Sequence, residues 1–148
     1  MGKLQEVLKN IKPVDESRTT AIQARLDNLT KPQGSLGRLE ELAKRYCLIT
    51  GRDRPKIENK IIFTFAGDHG VTEEGGSAFP NAVTPQMVYN FIRGGAGVNV
   101  LTKHVGARVI VVDVGVDHEF GPADGLEIKK VGRGTRNMTK GPAMTRDE

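Results

Sequence analysis

At 148 residues, 37% of them hydrophobic and 27% charged, the chain has the length and balance of one folded domain, which excludes two full domains and wholesale disorder. Its formal charge of +4 arises from 22 basic residues scattered among 18 acidic ones, and only 5% of residues are aromatic, so no nucleic-acid-binding stripe with stacking platforms is present. The single cysteine, Cys47, excludes an internal disulfide and a cysteine-based zinc cluster; no stretch is apolar enough for a signal peptide or a membrane span, and a cytoplasmic protein is expected.

Leu4, Val7, Leu8 and Ile11 recur at helical spacing until Pro13 stops the pattern, predicting a first short helix. Ser17 is placed to cap a second helix with Ile22, Leu26 and Leu29 on one face, ended by the turn residues of "KPQG". Ser35 is placed to cap a third, running through "LGRLEELAKRYCLIT" to a C-terminal stop at Gly51. Cys47 shares a stripe of that helix with Leu39, Leu42, Ala43 and Tyr46, where a buried thiol acts as a small apolar filler. Residues 1–59 therefore read as a helical N-terminal segment.

After the polar link "RDRPKIEN", the nearly continuous apolar run "KIIFTFAG", Lys60 to Gly67, predicts a strand buried on both faces. A glycine-rich loop follows, then Thr84-Pro85 as a helix start with Met87, Val88, Phe91 and Ile92 facing inward. "RGGAG", Arg93 to Gly97, interrupts that helix. It could cradle phosphate, but no strand directly precedes it and GxGxxG is absent, which favours a helix junction or close packing. "VNVLTKHVG" resumes the helix, "ARVIVVDVGV" is a second strand and "LEIKKVG" a weaker third, giving a βαβ unit. Thr145 with Asp147 and Glu148 reads as a helix start, and a sheet of three strands falls short of the usual roughly five or six. Residues 60–148 are accordingly expected to be the N-terminal part of a larger, truncated α/β domain.

Ligands of open parallel sheets bind beyond the carboxyl ends of the strands. Asp68 and His69 sit there after the first strand, and Asp113, Gly115 and Asp117 after the second. An Asp-His pair can serve metal ligation or a proton relay, or it can organise loop backbone. A metal site needs three or four converging ligands, and neither His104 nor His118 forms an HxxxH or HxH pattern, so no metal site is assigned. Glu73 and Glu74 read as solvated loop acids rather than a catalytic pair. Phe79 and Pro80, with Met87, offer either an apolar wall for a flat ring or plain core packing. Arg133, Arg136 and Lys140 in "VGRGTRNMTKGPAM" read equally as phosphate donors or as surface charge.

The blocks "LTKPQGSLGRLEELA", "FAGDHGVTEEGGSAFPNAVTPQMV", "RGGAGVNVL", "VIVVDVGV" and "GRGTRNMTKGPAM", in this order, resemble the nicotinate-nucleotide:dimethylbenzimidazole phosphoribosyltransferase family and cover nearly the whole chain. The resemblance implies an α/β fold, an incomplete doubly wound parallel sheet preceded by a helical N-terminal segment that belongs to a smaller domain, and a homodimer at full length. It implies phosphoribosyl transfer from nicotinate mononucleotide to 5,6-dimethylbenzimidazole, giving α-ribazole 5′-phosphate and nicotinate with inversion at the ribose carbon and without metal or cofactor. The loop from Gly67 to Met87 would help form the base slot, with Gly67, Asp68, Phe79, Pro80 and Met87 as substrate-binding candidates. Some relatives carry serine and glutamine at the Phe79 and Met87 positions, which leaves the preferred base open. The family's general base is a glutamate nearer the C-terminus, outside these 148 residues, so no catalytic residue is assigned and the stretch alone is expected to be inactive. The competing expectation is a non-catalytic module that binds an aromatic base or nucleotide.

Overall fold

The computed structural model describes residues 2–148. Contacts divide the chain into two compact units, Met1–Ile57 and Glu58–Glu148.

The first unit holds α1 (Lys3–Asn10), α2 (Thr19–Asp27) and α3 (Arg38–Thr50). The three helices are those expected, but two of the starts differ. Ser17 does not cap α2: its backbone N–H donates to Asp15 Oδ1 at 2.9 Å in the preceding turn, and the helix begins at Thr19. Leu29 lies past the end of that helix. Ser35 sits in a turn flanked by Gly34 and Gly37, both at positive φ, so α3 starts two residues later than its serine suggests. Glu40 does the capping work instead, its carboxylate accepting the Leu36 N–H at 3.0 Å and lying 2.8 Å from Lys31 Nζ. The expected stop holds: Gly51 adopts φ 64°, the left-handed conformation that closes a helix.

Cys47 is buried beside Ile22 in this unit, as a small filler should be. Its stripe partners Leu39 and Leu42 are not: both are more than half exposed, as are Leu4, Val7 and Ile11 of the first helical pattern. Helical periodicity marks which residues share a face; it does not ensure that the unit has enough partners to cover that face.

The second unit runs β1 (Ile61–Gly67), a 3₁₀ turn (Gly70–Glu74), α4 (Val83–Ile92), α5 (Gly97–His104), β2 (Arg108–Gly115) and β3 (Leu126–Ile128). The sheet is parallel, in the order β1-β2-β3, with Ile61 opposite Arg108 and a register shift between Ala66 and Gly67 that brings Gly67 opposite Gly115. Val88, Val111, Val116 and Phe120 form the core, with Ala66, Phe91, Ile92, Val109 and Leu126 packed around them. The α/β class and the parallel sheet are therefore those the sequence implies.

The burial of β1 differs from expectation. Phe63 and Phe65, on the same face, are 54% and 68% exposed, and Val114 of β2 on that face is 43% exposed. β1 is an edge strand whose helices cover one face only; the layer that a doubly wound sheet carries on its second face is absent among the described residues of this unit. The third strand is also shorter than "LEIKKVG", because Lys130 turns inward to an ion pair described below.

Within the crossover, α4 begins at Val83, so Thr84 is a first-turn residue rather than the cap. "RGGAG" is a helix junction: Asn99 accepts the Ala96 N–H at 3.2 Å and donates to Phe91 O at 3.0 Å, tying both helices, while Gly94 takes φ 80°. At the other end Thr145 and Glu148 exchange the reciprocal bonds of a capping box, at 2.6 and 3.2 Å.

Candidate functional site

An open cavity of about 490 Å³ lies at the carboxyl end of β1, between that strand, the glycine-rich loop and the first turns of α4. Gly67, Asp68, Phe79, Pro80 and Met87, the five residues singled out from the sequence, all line it, and Phe91 extends its apolar wall. Phe79 is 69% exposed and Met87 39% exposed, so the two present apolar surface outward rather than filling the core. A second cavity, of about 620 Å³, shares Gly67, Asp68 and His69 and continues along Gly132–Arg136.

Asp68 organises this edge. It is nearly buried, Oδ1 accepts the Thr84 hydroxyl at 2.6 Å, and Oδ2 accepts the Asp117 N–H at 2.8 Å. Its own N–H donates to Gly115 O at 3.0 Å. One carboxylate thus joins the end of β1, the first turn of α4 that leads to Met87, and the loop after β2. Because both oxygens are committed, and no other carboxylate lines the slot among the described residues, the slot presents apolar walls without an unengaged carboxylate. His69, the other half of the motif, is exposed and lines both cavities beside Asp68.

The loop after β2 is held by a buried ion pair that local pattern does not reveal. Asp113 is fully buried; Oδ1 accepts the N–H groups of Gly115 at 3.0 Å and Val116 at 2.8 Å, and Oδ2 lies 3.1 Å from Lys130 Nζ. Lys130 also donates to Val116 O at 3.3 Å and to His118 O, and its ammonium sits 5.8 Å from the centre of the Phe120 ring. Asp113 is expected from the sequence after the second strand, but it lies inside β2, opposite Ala66 and Ile128; its partner reads in the sequence as one lysine of a weak strand.

Glu73 and Glu74 are solvent-exposed loop acids, as expected, and they also hold cross-loop bonds. Glu74 Oε1 accepts from Asn137 Nδ2 at 2.6 Å and the Thr139 hydroxyl at 3.1 Å, and Glu73 Oε2 accepts from Lys140 Nζ at 2.9 Å. The Lys140 bond, followed by Asn137, holds the Glu73 carboxyl below its ordinary range. Arg133 and Arg136 are committed as well. Arg133 pairs with Glu119 at 2.9 Å, lowering that carboxyl, and Arg136 pairs with Glu148 at 2.9 Å, bringing its pKa down to about 2. All three cations are ion-paired at exposed positions, and Arg133 and Arg136 also line the second cavity. Asn137, buried between the two loops, carried no signal beyond its place in a polar run.

A family model described as Phosphoribosyltransferase (DBI_PRT) matches residues 11–148. The nicotinate-nucleotide–dimethylbenzimidazole phosphoribosyltransferase of Geobacter sulfurreducens is 64% identical over 148 residues, covering all of this chain and 42% of that protein. Its counterpart in Chlorobaculum parvum is 56% identical over 146 residues, 99% of this chain and 41% of that protein. Two crystal structures from Thermus thermophilus, one described as CobT and one as the same phosphoribosyltransferase, superimpose with TM-scores of 0.82 and 0.84 at 44% identity. They cover 87% and 90% of this chain, against 39% and 40% of their own. The chain spans about two-fifths of the length of the relatives it matches. On the match from residue 11 to residue 148, together with this shared fold, the chain belongs to the DBI_PRT phosphoribosyltransferase family.

Proposed function

We propose that the protein transfers phosphoribose from nicotinate mononucleotide to 5,6-dimethylbenzimidazole, releasing nicotinate, and that these 148 residues supply the wall that receives the base. The carrying observation is the convergence of Gly67, Asp68, Phe79, Pro80 and Met87 on one cavity at the end of β1, with Phe79, Pro80, Met87 and Phe91 as its apolar wall. A flat bicyclic base held between such walls has one ring nitrogen aimed at the ribose carbon, and orientation of that kind is worth several kcal/mol of barrier. The other ring nitrogen must lose a proton as the new bond forms, which calls for a carboxylate in reach. Asp68 is committed to Thr84 and Asp117, and the family resemblance assigns the acceptor to a glutamate nearer the C-terminus, outside this stretch. A cytoplasmic homodimer is part of the same reading.

Calorimetric titration of the chain with 5,6-dimethylbenzimidazole tests the slot. Binding is expected, weakened roughly tenfold by Phe79→Ala, since the loss of about 1.4 kcal/mol of apolar contact changes an equilibrium by that factor. The 148-residue polypeptide by itself is expected to release no nicotinate from nicotinate mononucleotide in the presence of the base. An affinity indifferent to Phe79, or turnover by this stretch alone, would overturn the reading.

A further inference from the structure

The strap Gly75–Asn81, which carries Phe79, has almost no bonds of its own. Its residues are exposed, and its side-chain bonds join Ser77 to Phe79. Its position is therefore set by its two ends. At the α4 end the anchor is Thr84 on Asp68. At the other end is the 3₁₀ turn Gly70–Glu74, and this turn is fastened to a loop more than sixty residues away.

The fastening has two parts. The Gly70 N–H donates to Thr135 O at 3.0 Å, and the two backbones touch: a Cβ at Gly70 would come within 2.5 Å of Thr135 O and 2.6 Å of Asn137 N. Asn137 then closes the side-chain contact. Its Nδ2 donates to Glu74 Oε1 at 2.6 Å and reaches Glu73 Oε2 at 3.5 Å, while its Oδ1 accepts the N–H of Thr139 at 3.0 Å. Between two acids a neutral amide supplies donors without adding a third negative charge. Gly75, the next residue, turns at φ 72° with its N–H on Thr72 O at 3.1 Å, so the direction in which the strap leaves follows from where Glu74 is held.

We propose that Asn137 is a positioning residue for the aromatic slot: by clasping Glu74 it fixes the turn from which the Phe79 strap departs, a role that rests on reading the slot as a base site. The clasp is separable from that reading because it also protects backbone amides. Hydrogen exchange at Gly70, Thr72 and Gly75, and calorimetric affinity for 5,6-dimethylbenzimidazole, are measured for the unsubstituted chain, Asn137→Asp, and the swap Asn137→Asp with Glu74→Gln. The single variant puts a carboxylate against Glu73 and Glu74; the swap restores one bond with donor and acceptor reversed.

The expected result for Asn137→Asp is exchange at least about tenfold faster at the three amides, unchanged exchange at Ile62 and Thr64, whose N–H groups face β2 in the β1–β2 ladder, and affinity lowered about tenfold, with both effects largely restored in the swap. Rescue by reversed polarity is what a purely steric role for Asn137 would not produce. Exchange and affinity like those of the unsubstituted chain in Asn137→Asp, or a swap no better than the single variant, overturns the proposal. If ladder exchange shows that Asn137→Asp unfolds the unit, Thr139→Val, which removes one bond to Glu74, must give the same pattern in smaller measure. Failure of the unsubstituted chain to bind the base strikes the slot reading instead, and the exchange arm then decides the clasp alone.

Discussion

Replacing Asp68 tests whether its carboxylate builds the slot or touches the ligand. The side chain accepts two bonds, from the Thr84 hydroxyl at 2.6 Å and the Asp117 N–H at 2.8 Å, in a nearly solvent-free position. Bonds to an ionised acceptor contribute about 1.5–3 kcal/mol each. Thr84→Val removes one of them and is expected to cost about 2 kcal/mol. Asp68→Asn keeps one acceptor oxygen but turns an NH₂ towards a remaining donor, costing about 2–3 kcal/mol. Asp68→Ala strands both donors and is expected to cost about 3–5 kcal/mol, less than the simple sum at its upper end because the two bonds share one group. Urea midpoints at constant slope give the order Thr84→Val, Asp68→Asn, Asp68→Ala, and base affinity should fall in the same order. A cost below about 1 kcal/mol for Asp68→Ala would refute the structural role. Affinity lost in Asp68→Asn while stability stays intact would place the carboxylate on the ligand.

Lys130→Met should destabilise the second unit by about 3–5 kcal/mol, since it leaves the fully buried Asp113 without its counter-charge. Adding Asp113→Asn, which keeps the acceptor for Gly115 and Val116, should recover most of that in the same urea titration. In the first unit, the Lys31 bond and then the Leu36 N–H hold the Glu40 carboxyl below its ordinary value of 4.5. A depressed folded-state pKa means stabilisation that is complete above that value and is lost as the pH falls through the lower one. Helical ellipticity in thermal melts between about pH 6 and about pH 3 should therefore lose stability on acidification, and Glu40→Gln should flatten that dependence; an unchanged slope would remove Glu40 from the account.

Each element was legible where a local rule governs it. The periodicity of "LEELAKRYC" marks α3, Gly51 marks its stop, and the apolar runs around Phe63 and Val111 mark two parallel strands. Legibility failed where a side chain had a choice of partners. Ser17, Ser35 and Thr84 all carry the chemistry of a helix cap, yet none caps, because Asp15, a glycine turn and Asp68 respectively decide where those residues lie.

The amino-acid sequence by itself determined the class of fold and the edge of the sheet where the cavity opens, since these follow from spacing along a few consecutive residues, while the family resemblance rested on five ordered blocks along nearly the whole chain. Only the tertiary structure decided that Asp68 is spent on Asp117 and that Glu74 is clasped by Asn137, pairs 49 and 63 positions apart. A hydrogen bond depends on a fit of about 3 Å between groups that chain folding brings together, and a contact of that kind leaves no period in the sequence from which it could be read.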